Sequence, residues 1–254
     1  MIRFGPAGIG GVKEAEKNLE YYKTLGLSSC ELAFTYQIYM NNEDAKRIGK
    51  KAKELNIQLS IHAPYYINLA SKDKIKINQS KKRILLCCER GHYLGVKYVV
   101  FHCGFYQERD KEETYQLIKE EILDMQRFIQ KHNWEVKLAP ETTGKETQFG
   151  TVDELLRLRK DTGCFMCVDF SHVYARNIGK IDYKKLFKKL KGHIHAHFSG
   201  ITYTQKGERS HRPSETERIK ELLKHIKGKD ITIINESPDP IRDTVKTIKM
   251  FSKF

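Results

Sequence analysis

Histidines and carboxylates recur in this chain at one kind of place, the end of a short apolar run. The run 57–62 ends in His62 and the run 97–102 in His102. The run 136–141 ends in Glu141, and 164–169 ends in Asp169, with His172 three residues on. The run 193–199 carries His193, His195 and His197, and 231–236 ends in Glu236. A loop after the 193–199 run adds Glu208 and His211. Taken singly, each has an ordinary explanation: a core histidine with its hydrogen bond, or a carboxylate capping the next helix. Taken together, imidazoles mixed with carboxylates suit zinc, with manganese or iron as alternatives. They outnumber the ligands of a single ion, so a cluster of two or three is implied. Ions roughly 3.5–4 Å apart suit phosphate-ester cleavage, where they generate hydroxide and neutralise the attacking and leaving oxygens.

For these residues to meet, the elements must bring the run ends to one place. Eight apolar runs can be marked: 2–4, 30–34, 57–62, 97–102, 136–141, 164–169, 193–199 and 231–236. Between them lie helical patterns. Val12, Ala15, Leu19 and Tyr22 share one face before Gly26, and later helices are predicted after Asn41-Asn42 to about 55, over 78–94, 117–129, from 152, over 183–190, over 214–226 and to the C-terminus. Short apolar runs alternating with amphipathic helices indicate a parallel sheet covered on both faces. Eight such units in about 250 residues predict an α/β (β/α)8 TIM barrel as a single domain, with the site at the C-terminal strand ends.

Composition sets the surroundings. Apolar residues make up 39% of the 254 and charged residues 31%, ordinary for a soluble globular chain. There is no apolar run of membrane-spanning length and no basic-then-apolar leader, so a cytoplasmic protein without membrane contact is expected. Six cysteines in a chain this long do not make a disulfide scaffold. Cys164 and Cys167 form a CxxC with no second pair, and with Cys87 and Cys88 they read as core. Forty-six basic residues against 32 acidic give a net charge of +14. A polyanionic partner follows naturally, with a lysine-rich proteome as the plainer alternative.

The segments SIHAPYYINLAS, VVFHCGFY, LAPETTG, CVDFSHVYA, HAHFS and NESP resemble, in order and spacing, the motifs of the endonuclease IV family of apurinic/apyrimidinic endonucleases. That resemblance implies a TIM barrel with three zinc ions that cuts double-stranded DNA 5′ of an abasic site and leaves a 3′-hydroxyl. Carried over by residue, it makes His62 and His102 ligands of the first ion and Glu141 the carboxylate bridging the first and second. Asp169, His195 and Glu236 become ligands of the second, and His172 and His211 of the third. Glu141 is also implied to activate the attacking hydroxide. The resemblance places Tyr65 and Tyr66 as aromatic wedges against the lesion, and Tyr39 or a neighbour in a second DNA-reading loop where the family inserts an arginine. Lys72, Lys74, Lys76, Lys81 and Lys82 could line a phosphate track or simply open a solvated helix. A monomer is expected.

This chain departs from the family pattern. An aspartate is expected two residues before the third-site histidine, but Arg209 stands there with Glu208 beside it. Glu208 is therefore expected to complete the third site through a shifted loop. After His195, Asn-Asp is replaced by His197-Phe198, and the start GPAGIGG lacks the family's early histidine. A divergent member is expected. The rival reading is a single-metal sugar isomerase or epimerase, whose barrels share the strand-end order Glu141, Asp169, His195, Glu236. His62, His102, His172 and His211 discriminate against it. A third reading is a damage-binding protein with a crippled cluster.

Overall fold

All eight apolar runs become parallel strands in the computed structural model, which describes residues 1–254. They are β1 (Ile2–Pro6), β2 (Ser29–Ala33), β3 (Gln58–His62), β4 (Tyr98–Phe101), β5 (Lys137–Pro140), β6 (Cys167–Asp169) and β7 (Ile194–Phe198). A hairpin follows, β8 (Gly200–Thr204) and β9 (Gly207–Arg212), and then the eighth barrel strand, β10 (Ile231–Asn235). Hydrogen-bonded neighbours run β1-β10-β7-β6 on one side and β2-β3-β4-β5 on the other. Two parallel bridges join the halves, Ala7 with Glu31 and Glu141 with Cys167. The ring is thus closed as a (β/α)8 barrel. Most strand residues are buried on both faces, because one side fills the barrel and the other lies under helices.

The helices are α1 (Ala15–Thr24), α2 (Asn42–Glu54), α3 (Lys74–Leu94), α4 (Lys111–Lys131) and α5 (Val152–Thr162). Then come α6 (Phe170–Arg176), α7 (Tyr183–Lys189), α8 (Thr216–Ile226) and α9 (Pro240–Phe251). Local chemistry sets their ends. Thr151 and Glu154 close a reciprocal capping box on α5. Gly163, with φ 71°, ends that helix in the left-handed conformation that costs glycine least. The main cluster of 57 buried apolar residues takes members from α1 through α8, and α9 packs Ile241, Val245 and Ile248 against it; a second cluster of five, Tyr98, Val100, Ala139, Phe165 and Cys167, lies along β4 to β6. No helix is long and apolar enough to cross a membrane.

Three local features differ from the sequence expectation. The helix expected from 78 begins at Lys74, because the Asp73 carboxylate accepts the Ile75 amide. Two helices, not one, follow β6, and α6 begins at once because the Asp169 carboxylate accepts the amides of Ser171 and His172. The stretch after β7, read as a loop, is the β8–β9 hairpin, which stands at the barrel mouth.

Candidate metal centre

Strand geometry delivers the predicted residues to one mouth. Glu141, just past β5, is fully buried at the centre. Its Oε2 lies 3.0 Å from His62 Nε2 and 2.9 Å from His102 Nε2. Its Oε1 lies 2.9 Å from His197 Nδ1 and 3.5 Å from His172 Nδ1. Three groups of potential ligand atoms lie at the mouth, His62–His102–Glu141, Glu141–Asp169–His197–Glu236 and Asp169–His172–His211, and a fourth, Cys167–His195–His197, lies below them. Glu141 and Asp169 are each shared between two groups, so the three at the mouth are contiguous. They face a cavity of about 270 Å³ with Tyr65, Phe105 and Lys145 among its lining.

Ligand atoms around a tetrahedral zinc at about 2.0–2.1 Å stand roughly 3.3 Å apart. The contacts here, 2.9–3.5 Å between imidazole nitrogen and carboxylate oxygen, match that spacing. Hydrogen bonding alone does not account for them. His102 Nε2 is 2.9 Å from Glu141 but lacks hydrogen-bond alignment, and His172 Nε2 and Asp169 Oδ2 are buried with no hydrogen-bond partner. Buried polar atoms left this way are costly unless something unites them. The second nitrogen of several rings is held from outside. His62 Nδ1 donates to the Ala63 carbonyl at 2.7 Å and His172 Nδ1 to the Thr142 carbonyl at 2.9 Å, which leaves each Nε2 facing inward. His211 Nδ1 meets Ser199 Oγ at 2.7 Å. Such outer anchors are what metal-binding imidazoles use to fix tautomer and orientation. The residues present therefore fit a cluster of divalent ions.

Charge follows the same geometry. Burial opposes the Glu141 carboxylate, but His197 and His102 outweigh it and hold its pKa well below the usual range. Burial lowers His62, yet the hydrogen bond to Glu141 and its charge win and push His62 up to about 9. His172 and His197 stand well above the ordinary imidazole value. Burial also opposes Glu236, which His197 nevertheless holds down at about 2. The carboxylates that raise His62 and His172 would equally attract divalent ions.

Several expectations need correction. His195 does not reach the carboxylate cluster; its Nε2 turns to Glu31 Oε2 at 3.1 Å, deeper in the barrel. His197 takes that place. The two lie on one strand face two residues apart, so spacing alone could not choose, and the residue nearer the C-terminal end lies at the mouth. Tyr39 leans back onto Phe34, with ring centroids 5.1 Å apart and its hydroxyl toward the Gly10 carbonyl. The more exposed Tyr36, not singled out from sequence, stands 6.3 Å from the Tyr66 ring instead. Lys81 is tied to Glu121 and Asp124 and is not free for phosphate. Lys72 is exposed and 3.5 Å from Glu108. Tyr65 and Tyr66 are exposed, and Tyr65 lies 5.7 Å from the His62 ring. Beside them runs a groove of about 490 Å³ with Lys76 and Arg83 in its wall.

Glu208 Oε2 lies 3.4 Å from His172 Nε2. Glu208 and His211 are three residues apart on β9, which in a regular strand would point them to opposite faces. The register shift between Thr202 and Tyr203 leaves Arg209 without a partner, since Thr202 pairs with Ser210 and Tyr203 with Glu208. That bulge returns both side chains to the cavity and leaves Arg209 and Ser210 exposed.

A family model described as "Xylose isomerase-like TIM barrel" matches residues 19–254. The chain belongs to that family. An uncharacterized protein of Methanocaldococcus jannaschii is 37% identical over all of this chain and 98% of its own length. A probable endonuclease 4 of Mycoplasma mobile is 28% identical over 70% of this chain and 68% of its own. Among solved structures, SacUVDE superposes with a TM-score of 0.79 at 15% identity, over 100% of this chain and 99% of its own. Endonuclease IV from Thermus thermophilus gives 0.74 at 19%, over 99% and 98%. D-psicose 3-epimerase from Clostridium cellulolyticum gives 0.69 at 12%, over 99% and 98%. These structures share the fold. This chain is a divergent member of the family with a distant likeness to the endonuclease 4 proteins.

Proposed function

We propose that this protein is a metal-dependent DNA-repair endonuclease that hydrolyses the phosphodiester 5′ of abasic sites in double-stranded DNA. One observation carries the reading: His62, His102, His172 and His211 stand round the Glu141, Asp169 and Glu236 carboxylates with inward-facing ring nitrogens, more than one ion can use. His62, His102 and Glu141 would hold a first zinc, Glu141, Asp169, His197 and Glu236 a second, and His172, His211 and Glu208 or Asp169 a third. Bound there, such ions supply a nucleophile near neutral pH and neutralise charge on the attacking and leaving oxygens. The protein's own part is placement. Glu141 holds two ligand groups together, and Tyr65 and Tyr66 project from the mouth where unstacked DNA would meet them. Lys76 and Arg83 flank the same groove and suit phosphates, as does the net charge of +14. The distant likeness to endonuclease 4 proteins agrees with this reading.

The four-residue group Glu141–Asp169–His197–Glu236 also favours a second reading, a single-metal sugar epimerase, since it could serve one ion alone. One experiment separates them. Metal-replete protein is incubated with an abasic duplex, an undamaged duplex and a panel of ketoses, with and without chelator. Chelator-sensitive nicking 5′ of the lesion alone is expected. Ketose turnover without nicking would replace the proposal with the epimerase.

A further inference from the structure

The barrel interior below the mouth holds a polar layer that the proposed chemistry does not use. Glu31 on β2 is fully buried. Ser60 Oγ donates to its Oε2 at 2.7 Å, and His195 Nε2 stands 3.1 Å from the same oxygen. Its other oxygen, Oε1, has no hydrogen-bonded partner and lies 2.9 Å from His197 Nε2, which has none either. Barrel interiors are normally filled by branched apolar side chains, and a buried carboxylate costs several kcal/mol unless it is compensated. His62, His172 and His211 have their second nitrogen held by a neutral oxygen, from a carbonyl or a hydroxyl. His197 faces the other way round: Nδ1 points to Glu141 and Glu236, and Nε2 meets a carboxylate.

We propose that Glu31 is a positioning residue for the metal centre: its ionised Oε1, 2.9 Å behind His197 Nε2, favours the tautomer that keeps the proton on Nε2 and presents Nδ1 to the Glu141–Asp169–Glu236 group, and so strengthens the ion held there. A carboxylate behind an imidazole raises its basicity as a ligand more than a carbonyl does. Glu31 also joins His195 to His197, which explains why both histidines of the His-x-His pair are buried although only one reaches the mouth. The proposal rests on the metal-centre part of the proposed function and not on its DNA substrate.

Glu31→Gln and wild type are loaded with zinc, and metal per chain is followed during competition with a chromophoric chelator. Histidine ¹⁵N spectra report the tautomers. Glu31→Gln should release one ion about 10–100-fold more readily, the usual effect of removing an outer carboxylate, and leave the other ions unchanged. The His197 Nε2–H resonance should shift. If Glu31→Gln does not fold, Ser60→Ala keeps the charge but removes its anchor and should weaken the same ion to a smaller extent. Unchanged release and an unchanged His197 tautomer in Glu31→Gln would overturn the proposal. So would an additional ion in wild type that Cys167→Ala loses, since Glu31 would then sit in a separate Cys167–His195–His197 site. Neither readout involves DNA, so a protein that binds zinc but nicks nothing refutes the proposed substrate and leaves the role of Glu31 standing.

Discussion

Glu141→Gln tests the centre at its shared carboxylate. Its two oxygens face His62, His102 and His197 at 3.0, 2.9 and 2.9 Å. Glu141 belongs to two ligand groups, so its loss takes one from three ligands to two and the other from four to three. Catalytic zinc sites keep three protein ligands beside an open position. The ion at His62 and His102 should therefore leave, while the one at Asp169, His197 and Glu236 stays with lower affinity. Removing one preorganised charge-stabilising contact costs about 100–1,000-fold in rate. Losing an ion removes several such contacts, so nicking should fall by at least about 1,000-fold, roughly 4 kcal/mol of barrier at about 1.4 per decade. Glutamine keeps the shape and touches nothing on the surface, so duplex affinity should hold. The assay is single-turnover nicking of an abasic duplex, with metal content and fluorescence anisotropy measured on the same sample. Nicking within tenfold of wild type, with full metal content, would refute a bridging role for Glu141.

Tyr65→Ala and Tyr66→Ala should weaken binding to abasic duplex more than to undamaged duplex, because a wedge acts only where a base is missing; equal losses on both would make these side chains simple cover. Lys72→Ala and Lys76→Ala should weaken both duplexes alike and each lower the salt slope by about 1, as read from binding titrations at several salt concentrations. Gly144→Ala should cost the third ion, because a Cβ there would come 2.6 Å from Glu208 Cβ and push the hairpin carboxylate outward; metal counting should show one ion lost and the His62–His102 ion kept. Chelated protein should lose stability as pH rises, because the folded pKa of His62 is raised to about 9 from an ordinary value of 6.5. That stabilisation is complete below about pH 6.5 and lost through pH 9. It amounts to about 3 kcal/mol at most, or roughly 6–12 °C in thermal melts, and zinc-loaded protein should not show the loss.

Much of the barrel and its mouth is legible in the chain itself, for a physical reason. Parallel strands buried on both faces read as continuous apolar runs, and a residue that ends such a run must lie at the barrel mouth. His62, His102, Glu141, Asp169 and Glu236 can be placed that way. What cannot be read depends on registers finer than an apolar pattern carries. His195 and His197 occupy the same strand face, so choosing between them requires knowing where β7 ends. The bulge at Arg209 leaves no compositional mark. Tyr36 and Tyr39 lie in a loop without periodicity, so which one faces solvent depends on packing against Phe34. Glu31 looks like a break in an apolar run, and only its partners across the barrel, Ser60, His195 and His197, show why a carboxylate is there.

The excess of histidines is what separates a cluster from a single ion. A one-ion centre at Glu141, Asp169, His197 and Glu236 would leave His102 and His172 with inward Nε2 atoms that have no hydrogen-bond partner, and His62 with only its hydrogen bond to Glu141. Two of these three rings are buried and the third is partly so. An unused buried imidazole with an unsatisfied nitrogen costs about 1–3 kcal/mol, and apolar replacements of similar volume would be neutral or stabilising. His62 and His102 converge on Glu141 Oε2, while His172 Nε2 faces Glu208 across the cavity. Two separate convergence points beyond the four-residue group call for two further cations, whether protons or metal ions. Protons leave as pH rises through the values that hold them, whereas divalent ions remain. Zinc titration into the chelated protein at pH 9 should therefore show more than one tight equivalent, with His62→Ala and His172→Ala each removing a different one. A single equivalent, unaffected by either substitution, would return the centre to one ion and the function to the epimerase reading.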